Sequence, residues 1–166
     1  MRKRKPTSGN QEAKVLSVEE IRIKLENYCA YRERCEQEVR QKMQQLQIPL
    51  EEQEACLQYL KDNAFLNEER FAQAFTRGKF RIKHWGRNKI LAELRLKNIK
   101  DTRIRQSLHQ IDEGDYFLSL LQLLEKKMKV LKEQEPYKKQ QKLFTYAFQK
   151  GYETELIKEA MKTLKI

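Results

Sequence analysis

The chain repeats itself with a period of just over fifty residues, and that repeat limits its fold more than any other feature. Shifts of 51 and then 53 positions align Val39 with Ile90 and Leu143, Met43 with Leu94 and Ala147, and Ile48 with Ile99 and Tyr152. The match continues through the small residues Cys56, Ser107 and Ala160, then Leu57, Leu108 and Met161, then Leu60, Ile111 and Leu164. A unit of this size cannot bury its apolar residues alone, so neighbouring units must stack.

Within each unit the apolar residues recur at helical spacing, and five Gly and three Pro in 166 residues supply little hairpin chemistry. Ser17 with Glu20 forms a capping box ahead of Ile21, Leu25, Tyr28 and Cys29, which share one helix face. Asn67, followed by Glu68 and Glu69, starts a helix buried through Phe71, Ala72 and Phe75. Gly86 reads as an N-cap between Trp85 and Ile90, a hydrophobic-staple arrangement that gives Trp85 a structural role. Gln47, Asn98 and Gly151 fall at equivalent turns, Gln47 being the least suited of the three to a left-handed backbone; Asp101 and Thr154 follow as expected N-caps. On the helix expected from Arg87 to Lys97, Ala92 and Leu96 form a second apolar patch, expected to be where one unit packs on the next. The expected fold is therefore all-α, a tandem array of three three-helix modules over residues 17–62, 63–113 and 114–166, elongated and curved, behind a disordered basic arm over 1–16.

The charge is unevenly placed. Of a formal net charge of +11, residues 77–105 hold eleven cations against two carboxylates, a local +9. Such a one-sided block is too poor in acids for mutual ion pairing and points to an anionic partner, nucleic acid or an acidic protein. Arg77, Lys79, Arg81, Lys83, Arg87 and Lys89 are the candidate contact residues. Phe80 and Trp85 lie among them, either as core or as platforms for unpaired bases. Arg2, Lys3, Arg4 and Lys5 would add affinity without specificity.

Several classes fall away. The nearly apolar stretch Phe117 to Leu124 is far shorter than the ~20 residues of a membrane span, and no apolar region follows the basic start as in a signal peptide, so a cytoplasmic bacterial protein is expected. Cys29, Cys35 and Cys56 are odd in number and lack C-x-x-C spacing, which suits reduced thiols. No phosphate-cradling glycine motif occurs, and His84 and His109 form no ligand cluster with the cysteines; no metal, cofactor or enzymatic activity is expected.

Residues 65–99 resemble the hallmark of the RecX family of bacterial recombinase regulators, through Phe71 and Ala72, Arg77, Trp85 and Gly86, Ile90, Glu93 and Leu94, and Ile99 in order. Arg32, Arg34, Cys35, Glu38 and Val39 are similar to the family's opening signature, with Cys35 in place of the usual Ser and with Gln47 and Asn98 in place of turn glycines. The resemblance covers roughly residues 17–166. It implies a non-enzymatic three-module protein that binds the RecA filament on single-stranded DNA and modulates it, mostly by inhibition of strand exchange, ATP hydrolysis and co-protease action. It also implies a role in regulating DNA repair and the SOS response. Phe71, Ala72, Trp85, Gly86, Ile90, Leu94 and Ile99 would then be structural. A stand-alone nucleic-acid-binding module and a helical scaffold for an acidic protein are the rival readings. A monomer is expected, because a stacked array buries its own faces.

Overall fold

The computed structural model describes residues 17–166, and among these it contains nine α-helices and no strand. The expected basic arm over 1–16 lies outside the described residues. The helices are α1 (Val18–Tyr31), α2 (Glu36–Gln45), α3 (Leu50–Asp62), α4 (Glu68–Lys83), α5 (Arg87–Leu96), α6 (Asp101–Leu108), α7 (Glu113–Val130), α8 (Pro136–Gln149) and α9 (Thr154–Thr163). They pack in threes: α1 with α2 and α3, α4 with α5 and α6, α7 with α8 and α9.

Local chemistry sets the helix starts. Ser17 accepts the Glu20 N–H, and the Glu20 carboxylate accepts the Ser17 N–H at 2.8 Å, closing the capping box. Asn67 caps α4 through the Arg70 N–H, and Asp112 caps α7 through the Asp115 N–H. The expected caps Asp101 and Thr154 are instead the first helical residues, behind Lys100 and Glu153, whose side chains make no cap bond. Asp101 faces back, accepting from the Arg95 guanidinium at 3.0 and 2.7 Å.

The turn between the second and third helix of each module repeats in detail. Gln47, Asn98 and Gly151 have φ of 57°, 59° and 93°. The next residue's N–H reaches back to close each turn, Ile48 to the Met43 carbonyl, Ile99 to Leu94 and Tyr152 to Ala147. These are Schellman closures, and Ile48, Ile99 and Tyr152 are buried as the accompanying apolar contact.

The modules are joined unequally. Ile21, Leu25, Val39, Met43 and Leu57 belong to a core built on the first module and the Phe65–Leu66 link that follows it, whereas Phe71, Ile90, Leu94, Tyr116, Leu120, Leu143 and Tyr152 belong to one core that runs through the second and third. Cys35 is the buried first-module residue in that larger core. Ion pairs also cross the first seam. The Lys97 ammonium donates to Glu38 at 3.1 Å, with Arg32 and Arg34 also within 4.0 Å of Glu38, and Arg70 donates to Glu33 at 2.9 Å.

The second seam is aromatic and close-packed. The Tyr116 ring stacks on Tyr152 at 5.0 Å and meets Phe80 at 5.9 Å. The Tyr116 hydroxyl accepts the Arg87 N–H and donates to Glu153, each at 2.8 Å. Gly86 and Gly151 stand back to back: a Cβ on Gly86 would lie 2.3 Å from the Gly151 carbonyl carbon. The expected packing patch, Ala92 and Leu96, is not used; both are exposed, Leu96 by 71%. The start of α5 makes the seam instead, because only glycine there lets two backbones touch.

Candidate anion-binding surface

Helical periodicity divides the six candidate cations. Residues two apart on a helix lie ~200° apart, so Arg77 and Arg81 share one side of α4 while Lys79 and Lys83 share the other. Arg77 and Arg81 border a recess floored by the buried Thr76 and Ser107 hydroxyls, 2.8 Å apart, with Asp112 and Asp115 on its far rim. Arg87 is engaged internally. Its guanidinium donates to both oxygens of Glu113, at 2.7 and 3.1 Å, and lies 4.2 Å from the Tyr116 ring centre. The Glu113 carboxylate thus raises the proton affinity of a guanidinium that burial would otherwise lower.

Lys79, Lys83 and Lys89 come together, and the third module adds Lys150. The Lys79 and Lys89 ammonium groups each lie 4.7 Å from the Trp85 ring centre, and Lys79 also lies over Phe75. Trp85 is therefore a mount that orders two lysines, rather than an open platform for a base. Phe80 is half-buried against Tyr116 and packs in the core. Across the seam the Lys89 ammonium approaches the Gln149 carbonyl and the Lys150 ammonium the Lys83 carbonyl, each at 3.4 Å. Tyr146 then orders Lys127 and Lys150 as Trp85 orders its pair.

The result is a strip of lysines across the second seam, none of which pairs with a carboxylate among the described residues. Mutual repulsion among these charges adds to the effect of burial. Burial, then Lys89 and Lys83, lower the proton affinity of Lys150. Burial, then Lys126 and Lys150, hold His84 below the usual imidazole range. His84 ends α4 in a left-handed conformation (φ 51°), with Nδ1 3.2 Å from the Ser119 hydroxyl. An arriving anion relieves this repulsion, and ordered ammonium groups lose less entropy in binding it.

Sequence reasoning missed Lys126, Lys127, Tyr146 and Lys150, which lie more than 20 residues beyond the basic block and join it only through the stacking of modules. The motif residues Phe71, Ala72, Gly86, Ile90, Leu94 and Ile99 are buried, and Trp85 is half-buried. The three cysteines are free thiols, and burial raises Cys29 to about 11. Among the described residues no three potential ligands gather around a metal position, and no helix is long and apolar enough to cross a membrane.

Family models described as the first, second and third three-helix domains of RecX match residues 22–60, 67–108 and 115–161. The chain is 33% identical over 119 residues to the regulatory protein RecX of Clostridium perfringens strain SM101, a match covering 70% of this chain and 55% of that protein. It is 28% identical over 137 residues to that of Prosthecochloris aestuarii, covering 82% and 88%. The chain thus spans about half the length of the Clostridium relatives it matches. The crystal structure of RecX from Lactobacillus salivarius superposes with a TM-score of 0.77 at 21% identity, covering 89% of this chain and 96% of that one. A second RecX crystal structure gives a TM-score of 0.75, also at 21% identity, over 85% and 73%. At such identity these structures speak for the fold.

Proposed function

The chain belongs to the RecX family, and on that premise we propose that it regulates a RecA-type recombinase by binding its filament on single-stranded DNA, without a chemical step of its own. The observation that carries the reading is the uncompensated lysine strip, Lys79, Lys83, Lys89 and Lys150, ordered by Trp85 and Tyr146. A rigid row of ammonium groups fits a surface of repeated negative charge, either the phosphates of an extended strand or acidic side chains lining a filament groove. Bridging neighbouring recombinase subunits would block filament growth or entry of a partner strand by occupancy alone.

The fold supports this use of the strip. The second and third modules share one core, so the lysines on either side of their seam are held at fixed spacing. Replacing Lys79, Lys83, Lys89 and Lys150 together by Gln tests the reading in a filament-binding titration at several salt concentrations. Loss of affinity with a flatter salt dependence and unchanged helicity is the expected result; if the strip neutralises four phosphates of a single strand, the log–log salt slope changes by about 3. Unchanged filament affinity in this variant would sink the reading.

A further inference from the structure

Beside the lysine strip, α4 and the segment linking α1 to α2 enclose a trough of about 330 Å³ that the seam lysines do not fill. Its floor is apolar, made by Ala74, Phe75 and Gly78, and its outer wall is Ile82, which is 73% exposed on a helix otherwise rich in charge. Three cations rim it, Arg32 from the linking segment and Lys79 and Lys83 from α4. Glu33, the one acid on the rim, gives one carboxylate oxygen to Arg70, and its other oxygen is buried rather than turned out to the trough mouth.

Gly78 is the informative residue. It lies inside α4, where glycine is the least favourable residue apart from proline, and a Cβ there would meet nothing within 4 Å. Gly86 and Gly151 explain themselves by backbone contact within the chain; Gly78 has no such neighbour. A glycine next to an exposed isoleucine leaves room at the helix surface for an incoming group.

We propose that this trough docks an acidic peptide segment of the protein partner, inserting one large apolar side chain against Phe75 and Gly78 while its carboxylates meet Arg32, Lys79 and Lys83. The proposal rests on the regulator reading and assigns to the partner's protein component a neighbouring contact that shares Lys79 and Lys83 with the strip. Charge complementarity selects an acidic segment, and the floor residues Ala74, Phe75 and Gly78 carry no side-chain hydrogen-bonding group for the polar edge of a base, so an apolar side chain fits there better. Recognition then has two parts, with the strip meeting repeated negative charge and the trough reading a short sequence.

The test uses this protein with a fluorescent peptide of about ten alternating Glu and Asp residues carrying one central Phe, beside an oligothymidylate. Wild type binds the peptide, and changing its Phe to Ala weakens binding at least tenfold. Gly78→Leu, which fills the trough and favours the helix, weakens peptide binding at least tenfold and leaves oligothymidylate binding unchanged; Ile82→Gln, at the opposite wall, acts in the same direction. Indifference to the Phe, unchanged peptide affinity in Gly78→Leu, or an equal loss of oligothymidylate binding would each overturn the proposal. Lys89 and Lys150 lie outside the trough, so a variant with only these two changed to Gln separates the ideas: it should lose filament affinity and keep the peptide, and each idea can fail without the other.

Discussion

The backbone N–H of Gly86 donates to the carbonyl of Lys150 at 2.7 Å, so the residue that starts α5 is bonded to a residue of the lysine strip in the next module. Asn88 repeats the contact two residues on, donating to the Gly151 carbonyl at 3.0 Å. One glycine pair thereby fixes both the seam and the spacing of the cations along it.

Substituting Gly86→Ala should therefore unfold the protein more readily. The new methyl would sit 2.3 Å from Gly151 backbone atoms, which cannot move aside as a flexible side chain could. A loss of about 2–3 kcal/mol in denaturant unfolding is expected, the cost of overpacking a rigid contact. A loss below about 0.5 kcal/mol would mean that the seam is loose.

The three Schellman turns predict a graded response. Gln47 carries the left-handed conformation without the help of glycine, so Gln47→Gly should stabilise by up to about 1 kcal/mol. Asn98→Gly should gain less, since Asn tolerates that region. Gly151→Ala should lose the most, being at φ 93° with its new Cβ 2.4 Å from Lys89. Thermal midpoints of the three variants check the order.

The unequal seams predict unequal stability. The first module has its own core and meets the second largely through Glu38, Lys97, Glu33 and Arg70, whereas the other two share a core. Hydrogen exchange should show α1–α3 opening as a unit below the free energy of α4–α9, with the gap widening in salt as the ion pairs are screened. Lys97→Met, which leaves Glu38 without its closest cation, should lower first-module protection by about 1–2 kcal/mol. Uniform protection across all nine helices would contradict the division.

His84 gives a pH signature. Its folded form resists protonation, so between its lowered value and the unfolded value near 6.5 the unfolded chain holds more protons; stability should fall as pH drops through that window. An anion on the strip offsets the field of Lys126 and Lys150, raises the His84 value and draws in a proton. Oligonucleotide affinity should therefore rise as pH falls from about 7.5 to about 5.5, and His84→Asn should remove that portion of the rise. The His84 imidazole followed by NMR, with and without oligonucleotide, measures the shift directly.

Much of this architecture was legible in the residues. The fifty-residue period reported the three-fold helical array, because each repeat must offer the same buried positions to its neighbours, as Val39, Ile90 and Leu143 do. The Trp85–Gly86 pair announced a helix start. The candidate surface was only half legible. The Arg77 to Lys89 block was visible, but the division of α4 into an arginine side and a lysine side follows from the 100° turn per residue, and the capture of Arg87 depends on Glu113, 26 positions away. Lys150 joined the strip through a glycine contact that the repeat implies but does not locate. The caps at Lys100 and Glu153 were hidden because neither uses its side chain.

The most direct test of the regulator reading is the rate of single-strand-dependent ATP hydrolysis by the cognate recombinase, with this protein titrated in at fixed DNA and moderate salt. The account predicts a fall at protein well below DNA-site equivalence, and at least a tenfold higher requirement for the variant with Lys79, Lys83, Lys89 and Lys150 changed to Gln. A rate unaffected up to stoichiometric protein, with direct DNA binding still present, would contradict it and leave a plain nucleic-acid-binding module.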